Sequence, residues 1–458
     1  MAISTINPTT GLVEREFEPI DTVEVERRLA RAHEAVTELR ATSFAERADW
    51  MRASADLLES DLAMVARLLT VEMGKPIVQA RAEVLKCAKG MRFYADHAES
   101  FLADQPLSNP DAVGASRAWT RYEPLGVLLA VMPWNYPLWQ VIRFAGPALM
   151  AGNAGLLKHA SNVPQSALYL DDLFRRGGFP AGAFQTLLIG SGPVDAVIRD
   201  PRVKGVALTG SEPAGRSVAS TAGSQIKKLV LELGGSDPFI VMPSADLERA
   251  ATVAATARLG NNGQSCIAAK RFIVHTDVYE RFAELFTAAM AASVVGDPLD
   301  DAITIGPLAT ESGRTELAEL VGDAIAHGAV ARLGGNAPSG AGWFYPPTVL
   351  ENVDESARLF QEEAFGPVAV LYRATDAADA LRLANVTTFG LSSAVWTEDP
   401  DDERFFVESI DAGAVFINGM TISYPELPFG GIKNSGYGRE LGAPGIREFC
   451  NLKTVWKA

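Results

Sequence analysis

The sequence predicts an α/β protein built from two successive sheet-and-helix units, and three observations carry that expectation. Between residues 125 and 209, short apolar runs alternate with helical stretches, the pattern of parallel strands covered on both faces. A second series of such runs begins near Asp237. The C-terminal segment 449–456 has strand character but no obvious partner nearby in the chain. It is therefore expected to pair with another subunit, alongside a short exposed strand at 118–123, which would make the protein an obligate oligomer. At 458 residues the chain exceeds one ordinary core, so two or three domains are expected.

Taken in order, residues 21–100 place apolar positions three and four apart with charges between them, which predicts helices. Residues 107–117 are polar and turn-rich. The first strand series comprises 126–131, 154–157, 184–189 and 203–209. The most apolar stretch, 126–152, contains Pro133, Asn135, Pro137, Arg143 and Pro147 and switches from strand-like to helix-like, so it reads as strand, turn and helix rather than a membrane span. The second series comprises 238–242, 271–275, 367–372, 393–396 and 414–417.

Composition narrows the function classes. With 48% hydrophobic and 21% charged residues the chain has the balance of a soluble globular protein. A formal net charge of −15 argues against nucleic acid and anionic membranes as partners. It leaves room for an anionic small substrate, because a local basic pocket overrules the global field. Cys87, Cys266 and Cys450 are too few for a disulfide framework, and the N-terminus lacks the basic and apolar regions of a signal peptide, so the expected compartment is the cytoplasm. No metal site is expected.

Three local constellations suggest chemistry. Cys266 follows Gly263, Gln264 and Ser265, residues with little reason to precede a core position and well suited to close approach by a substrate. The plainer reading, a small buried hydrophobe, describes most cysteines. Glu232 lies between Leu229-Val230-Leu231 and Leu233-Gly234-Gly235, which points to a desolvated carboxyl with a raised pKa rather than an exposed ion pair. Together a thiol and such a base can form and resolve a covalent intermediate. Asn135, in Pro133-Trp134-Asn135-Tyr136-Pro137, directly follows a buried strand. It could cap the next helix, or donate its amide to an oxyanion.

With these motifs and Glu362-Glu363-Ala364-Phe365-Gly366-Pro367 in the same order, the sequence resembles the aldehyde dehydrogenase superfamily over essentially its whole length. The resemblance implies a Rossmann-type dinucleotide-binding domain over 1–106 and 124–233, a catalytic domain over 234–428, and a small β oligomerisation or bridging element from 107–123 and 429–458. It also implies a reaction order. The Cys266 thiolate attacks an aldehyde, the Asn135 amide and the Cys266 backbone N–H hold the oxyanion, hydride leaves for a nicotinamide, and Glu232 activates the water that releases the acid.

No Gly-x-Gly-x-x-Gly occurs; Gly190-Ser191-Gly192 has Asp195 at the final position. The run Thr209-Gly210-Ser211-Glu212 instead follows a strand and opens a helix whose N–H groups can hold a pyrophosphate. By the resemblance, Gly210 and Ser211 contact the dinucleotide, Trp134 and Leu233 flank it, Glu363 bonds the nicotinamide ribose and Phe365 lies beside the nicotinamide. Lys158, His159, Ala160 and Ser161 match the adenine-ribose segment. Ser161 stands where NAD-preferring members carry Glu, and Lys158 adds charge, so NADP is the expected cofactor with NAD as a slower alternative. His159 replaces a proline common in the family.

For the substrate, Arg143 on an apolar helix is either a buried ion-pair member or the receptor of a semialdehyde's distal carboxylate. Trp139 on the same helix and Ser423 in the 418–425 loop are expected beside it. The pattern looks most like the shorter, NADP-dependent succinate-semialdehyde dehydrogenases. One departure is Gly260-Asn261, where some longer enzymes of that activity carry a further arginine. The expected partner is therefore a carboxylated aldehyde, with glutarate semialdehyde or a neutral aliphatic aldehyde as alternatives, and the expected assembly a homodimer or homotetramer. A cysteine hydrolase would need one of His33, His97, His159, His275 or His327 as partner, and none lies in a dyad-like motif. A binding protein that kept only the fold would have little reason to retain Cys266, Glu232 and Asn135 together.

Overall fold

The computed structural model describes residues 3–458. Four helices occupy the segment expected to be helical: Thr22–Ala41, Phe44–Ser60, Leu62–Met73 and Ile77–Phe101. Local chemistry sets their ends. Asp21 accepts from the Glu24 N–H, and Ser43 and Glu46 form a reciprocal capping box. Gly74 in the left-handed conformation stops the third helix. Their apolar faces (Leu39, Met51, Leu69, Val84 and Met91) join one core with Leu128, Leu129 and Leu156 of the first sheet.

That sheet runs in the order Gly436–Tyr437, Lys228–Glu232, Val203–Thr209, Val127–Met132, Ala154–His159, Phe184–Thr186. Four of its five pairings are parallel; at one edge Gly436–Tyr437 runs antiparallel to Lys228–Glu232. From Val127–Met132 the chain first winds outward through Ala154–His159 and Phe184–Thr186, then crosses to Val203–Thr209 on the other side. This reversal opens a crevice at the carboxyl ends of Val127–Met132 and Val203–Thr209, where ligands of open parallel sheets bind. The turns holding Asn135 and Gly210-Ser211 leave from those two strands.

The second sheet runs Val330–Leu333, Thr348–Glu351, Val368–Ala374, Ala269–His275, Asp237–Val241, Ser393–Trp396, Val415–Ile417. All pairings after the first are parallel. Alternate residues serve separate cores on its two faces: Ile240, Ile273 and Val370 on one, Phe239, Val241, Phe272 and Val274 on the other.

Several elements differ from expectation. The C-terminal strand, Cys450–Lys457, finds its partner within the same chain: it pairs antiparallel with Arg117–Pro124, from Cys450 opposite Pro124 to Lys457 opposite Arg117. Parallel pairing in the run from 184 ends at Thr186. The strands Val330–Leu333 and Thr348–Glu351, short and flanked by irregular chain, and the hairpin of Ile3–Asn7 with Leu12–Phe17 were not anticipated. The apolar stretch 126–152 is a strand, a turn and the helix Trp139–Met150. No helix among the described residues is long and apolar enough to cross a membrane.

Candidate active site

The helix Leu247–Leu259 ends in the turn Gly260–Gly263, which precedes Cys266. Asn261 and Asn262 take φ values of 57° and 58°, a region asparagine tolerates better than most residues. At Gly263, with φ +73°, any Cβ would collide with the Gly366 carbonyl. Side chains then tie the turn to its surroundings. Asn262 Nδ2 donates to the carbonyls of Gly74 (2.8 Å) and Pro307 (3.0 Å), while its Oδ1 accepts from Gly306 N–H at 2.8 Å. Asn261 Nδ2 donates to the carbonyls of Asn135 (2.8 Å) and Gln264 (2.9 Å). Lys270 Nζ donates to the carbonyls of Ser265, Cys266 and Ala268 and pairs with Glu363 at 3.0 Å.

Asn135 is buried against this loop. Its Nδ2 donates to the Gln264 carbonyl at 3.2 Å, and its Oδ1 has no partner. Cys266 lies between two cavities. One, of about 300 Å³, is lined by Lys86, Trp139, Arg143, Cys266, Met420 and Ser423 among others. The second, of about 320 Å³, is lined by Trp134, Asn135, Thr209, Gly210, Ser211, Leu233, Cys266, Glu363 and Phe365. Burial pushes the Cys266 thiol up to about 12; Arg143 and Lys270 act against this, while Glu363 and Glu232 add to it.

Glu232 ends the strand Lys228–Glu232, is 2% exposed, and has no hydrogen-bond partner on either carboxylate oxygen. Burial raises its pKa to about 8, with Glu440 reinforcing the shift and Arg143 and Arg439 opposing it. Glu232 lines neither cavity, so its carboxyl is held one step back from the thiol's two openings. Gly430 makes the room: a Cβ there would sit 2.7 Å from Glu232 Oε1.

Aromatic and polar groups share the wall of the second cavity. Phe365 meets Trp134 edge to face, with ring centroids 5.7 Å apart. Ser211 precedes the helix Glu212–Ser224 without capping it by its side chain, leaving first-turn N–H groups for an anion. Lys158 and Ser161 lie near the end of Ala154–His159 and the turn after it, both half-buried. Burial alone lowers the Lys158 pKa, with no charged neighbour contributing. The Ser161 carbonyl accepts from Ser4 N–H at 3.1 Å, so the N-terminal hairpin braces this turn. Ala160 packs with Trp134, Met73, Val163 and Ala309.

Two residues occupy different positions from those expected. His159 does not present its ring to a cofactor. The ring is buried, Nδ1 accepts from Ala160 N–H at 3.0 Å, and Nε2 lies 2.9 Å from the Pro137 carbonyl, to which it donates. Burial lowers its pKa to about 4, so it is a neutral brace between two loops. Arg143 lines the first cavity, but its guanidinium is committed: it pairs with buried Glu440, donates to Thr209 Oγ1 at 3.3 Å and lies over the Phe429 ring. Arg143 is thus a buried ion-pair member that also lines the first cavity.

Trp139 and Ser423 meet in the first cavity, Trp139 Nε1 donating to Ser423 Oγ at 2.9 Å. Sequence reasoning missed Lys86, whose Nζ donates to the same hydroxyl at 2.7 Å, and the buried pair of Lys75 with Glu83. The only signal for Lys86 is its place on the amphipathic helix Ile77–Phe101, which does not separate it from the helix's other charges.

Known proteins resemble the chain over essentially its whole length. The sequence model of the aldehyde dehydrogenase family matches residues 1–455. A succinate-semialdehyde dehydrogenase [NADP(+)] 1 of Mycobacterium tuberculosis is 60% identical over 458 residues, covering 100% of each chain. A succinate-semialdehyde dehydrogenase [NADP(+)] of Mycobacterium avium is 60% identical over 457 residues, covering 100% of this chain and 97% of the other. A crystal structure of succinic semialdehyde dehydrogenase from Streptococcus pyogenes, in complex with NADP+, superposes with a TM-score of 0.96 at 36% identity over 99% of each chain.

Proposed function

The chain belongs to the aldehyde dehydrogenase family, and we propose that within it the protein oxidises succinate semialdehyde to succinate with NADP as the preferred cofactor. The observation that carries the reading is the position of Cys266, the thiol shared by two cavities that are otherwise lined almost entirely by different residues. An aldehyde entering from the Lys86 and Ser423 side meets the sulfur from one direction. On the other side, Trp134, Glu363 and Phe365 would hold the nicotinamide of a bound cofactor.

Cys266 Sγ adds to the carbonyl carbon, and the developing oxyanion takes hydrogen bonds from the Asn135 amide and the Cys266 backbone N–H. NADP, when bound, would supply the hydride acceptor; Gly210, Ser211 and the first turn of Glu212–Ser224 would hold its pyrophosphate, and Lys158 with Ser161 its 2′-phosphate. The acyl group then rests on Cys266 as a thioester. Glu232 takes a proton from the attacking water, and succinate and the free thiol leave. No histidine lines either cavity among the described residues, which disfavours a cysteine hydrolase.

The reading extends to assembly and location. The strand Cys450–Lys457 is an open sheet edge carrying exposed Leu452 and Trp456, which supports a homodimer or homotetramer. Three unbridged cysteines support a reducing, cytoplasmic setting. Steady-state kinetics on a panel of carboxylated and neutral aldehydes with both cofactors tests the proposal. Highest kcat/KM is expected for succinate semialdehyde with NADP; preference for a neutral aldehyde, or for NAD, would overturn that part of it.

A further inference from the structure

We propose, resting on the oxyanion role given to Asn135 above, that Glu83, fixed by Lys75, is the positioning residue that sets the Asn135 amide. The helix Trp139–Met150 starts without a cap of its own, because Leu138 occupies its N-cap position and offers no side-chain acceptor. Glu83, on the helix Ile77–Phe101, supplies the acceptor from outside. Its Oε1 accepts from the backbone N–H groups of Leu138 and Trp139 at 3.0 Å each, and its Oε2 accepts from Lys75 Nζ. Both side chains of the pair are 1% exposed.

The Asn135 side chain is itself lightly held. Its Oδ1 has no partner, and its Nδ2 bond to the Gln264 carbonyl is 3.2 Å long. The position of the amide therefore follows the backbone of its turn. His159 braces that turn from the strand side through the Pro137 carbonyl, and Asn261 donates to the Asn135 carbonyl. Glu83 braces it from the helix side, while Lys75 Nζ lies 3.9 Å from the centre of the Tyr136 ring. The carbonyl of Gly74, next to Lys75 in the chain, accepts from Asn262 of the Cys266 loop. One short segment thus supports the nucleophile's loop and, through Glu83, the turn of its oxyanion donor. A buried ion pair adds little stability over apolar side chains of the same volume. What an apolar pair would lack here is the acceptor for two N–H groups at a helix start, where the helix dipole also favours a carboxylate.

The test uses two double variants, Lys75→Met/Glu83→Leu and Lys75→Met/Glu83→Gln, each with Asn135 intact and with Asn135→Ala, and with melting temperature as a check on folding. Both remove the ion pair without leaving a lone charge; only the glutamine keeps a side-chain oxygen for the Leu138 and Trp139 N–H groups. The readout is the rate of the single-turnover NADPH burst on succinate semialdehyde. Asn135→Ala alone should slow it about 10²- to 10³-fold, the usual worth of an oxyanion donor. An unchanged burst would overturn the role of Asn135 and this proposal with it. With Asn135 present, the leucine variant should slow the burst on the order of 10- to 100-fold, as displacement of a reacting group does. The glutamine variant should recover most of that loss. In the Asn135→Ala background the leucine variant should slow the burst no more than about twofold, because the group it misplaces is gone. Where the leucine variant does not fold, Glu83→Gln with Lys75 retained carries the same comparison: its loss should be present with Asn135 and absent without it. Equal losses from the leucine and glutamine variants, or the same loss with and without Asn135, would overturn the positioning role of Glu83 while leaving that of Asn135 standing.

Discussion

The loop that carries Cys266 and the strand end that carries Glu232 both lie deep in the molecule, yet they are held in opposite ways. Asn261, Asn262 and Lys270 fix the Cys266 loop through eight side-chain hydrogen bonds to backbone groups. Glu232 has none on either oxygen. The contrast matches the roles proposed for the two groups. A nucleophile has to meet a carbonyl carbon at one distance and angle, so its loop is over-determined. A base that accepts a proton from water needs a high pKa and freedom to turn toward the thioester; hydrogen bonds to its carboxylate would take away the first and hinder the second.

Changes to either side test this contrast. Cys266→Ala should abolish aldehyde oxidation while sparing NADP binding measured by fluorescence titration; retained turnover would show that the fixed loop does not carry the nucleophile. Glu232→Gln should keep a single-turnover burst of NADPH but slow the steady state by about 10²- to 10⁴-fold, the usual worth of a positioned base. In the wild type, thioester hydrolysis should rise as pH passes through about 8, because a raised pKa leaves Glu232 protonated and inactive below that value. In Glu232→Gln this inflection should disappear from stopped-flow traces, and loss of the burst as well would assign Glu232 an earlier role. Asn262→Ala strips partners from two buried carbonyls and one N–H, so denaturant unfolding should register a loss of about 3 kcal/mol. A fall in kcat should accompany it, and unchanged stability would mean that the loop is held by other means. The smallest effect is expected at the periphery of the cofactor pocket. Ser161→Glu should shift the NADP to NAD ratio of kcat/KM by about tenfold toward NAD, since it places a carboxylate near the 2′-phosphate; an unmoved ratio would remove Ser161 from the cofactor argument.

The parts of this site that were legible in the sequence are those fixed by neighbours along the chain. Asn135 follows its strand by a few residues, Glu232 ends one, and Cys266 is framed by its own Gly-Gln-Ser turn, so local pattern was sufficient. What escaped depends on contacts between remote segments. Lys86 and Ser423 are separated by 337 positions and Asn262 and Gly74 by 188, and neither pairing leaves a periodic trace. Arg143 shows the same limit from the other side. An arginine on an apolar helix was recognisable as unusual, but only the fold reveals that Glu440 already holds it. The C-terminal strand likewise carried its β character openly while its partner, Arg117–Pro124, lay most of the chain away.

The edge pairing of Gly436–Tyr437 with the strand that ends in Glu232 gives Glu232 and Cys266 surroundings from different stretches of the chain. The Cys266 loop finds its braces in residues no later than Pro307, Glu363 and Gly366. The surroundings of Glu232 need Gly430, Arg439 and Glu440, which follow all of those braces in the chain. The surroundings of Glu232 are thus completed by a later segment of the chain than those of Cys266, although Glu232 itself comes first in the sequence.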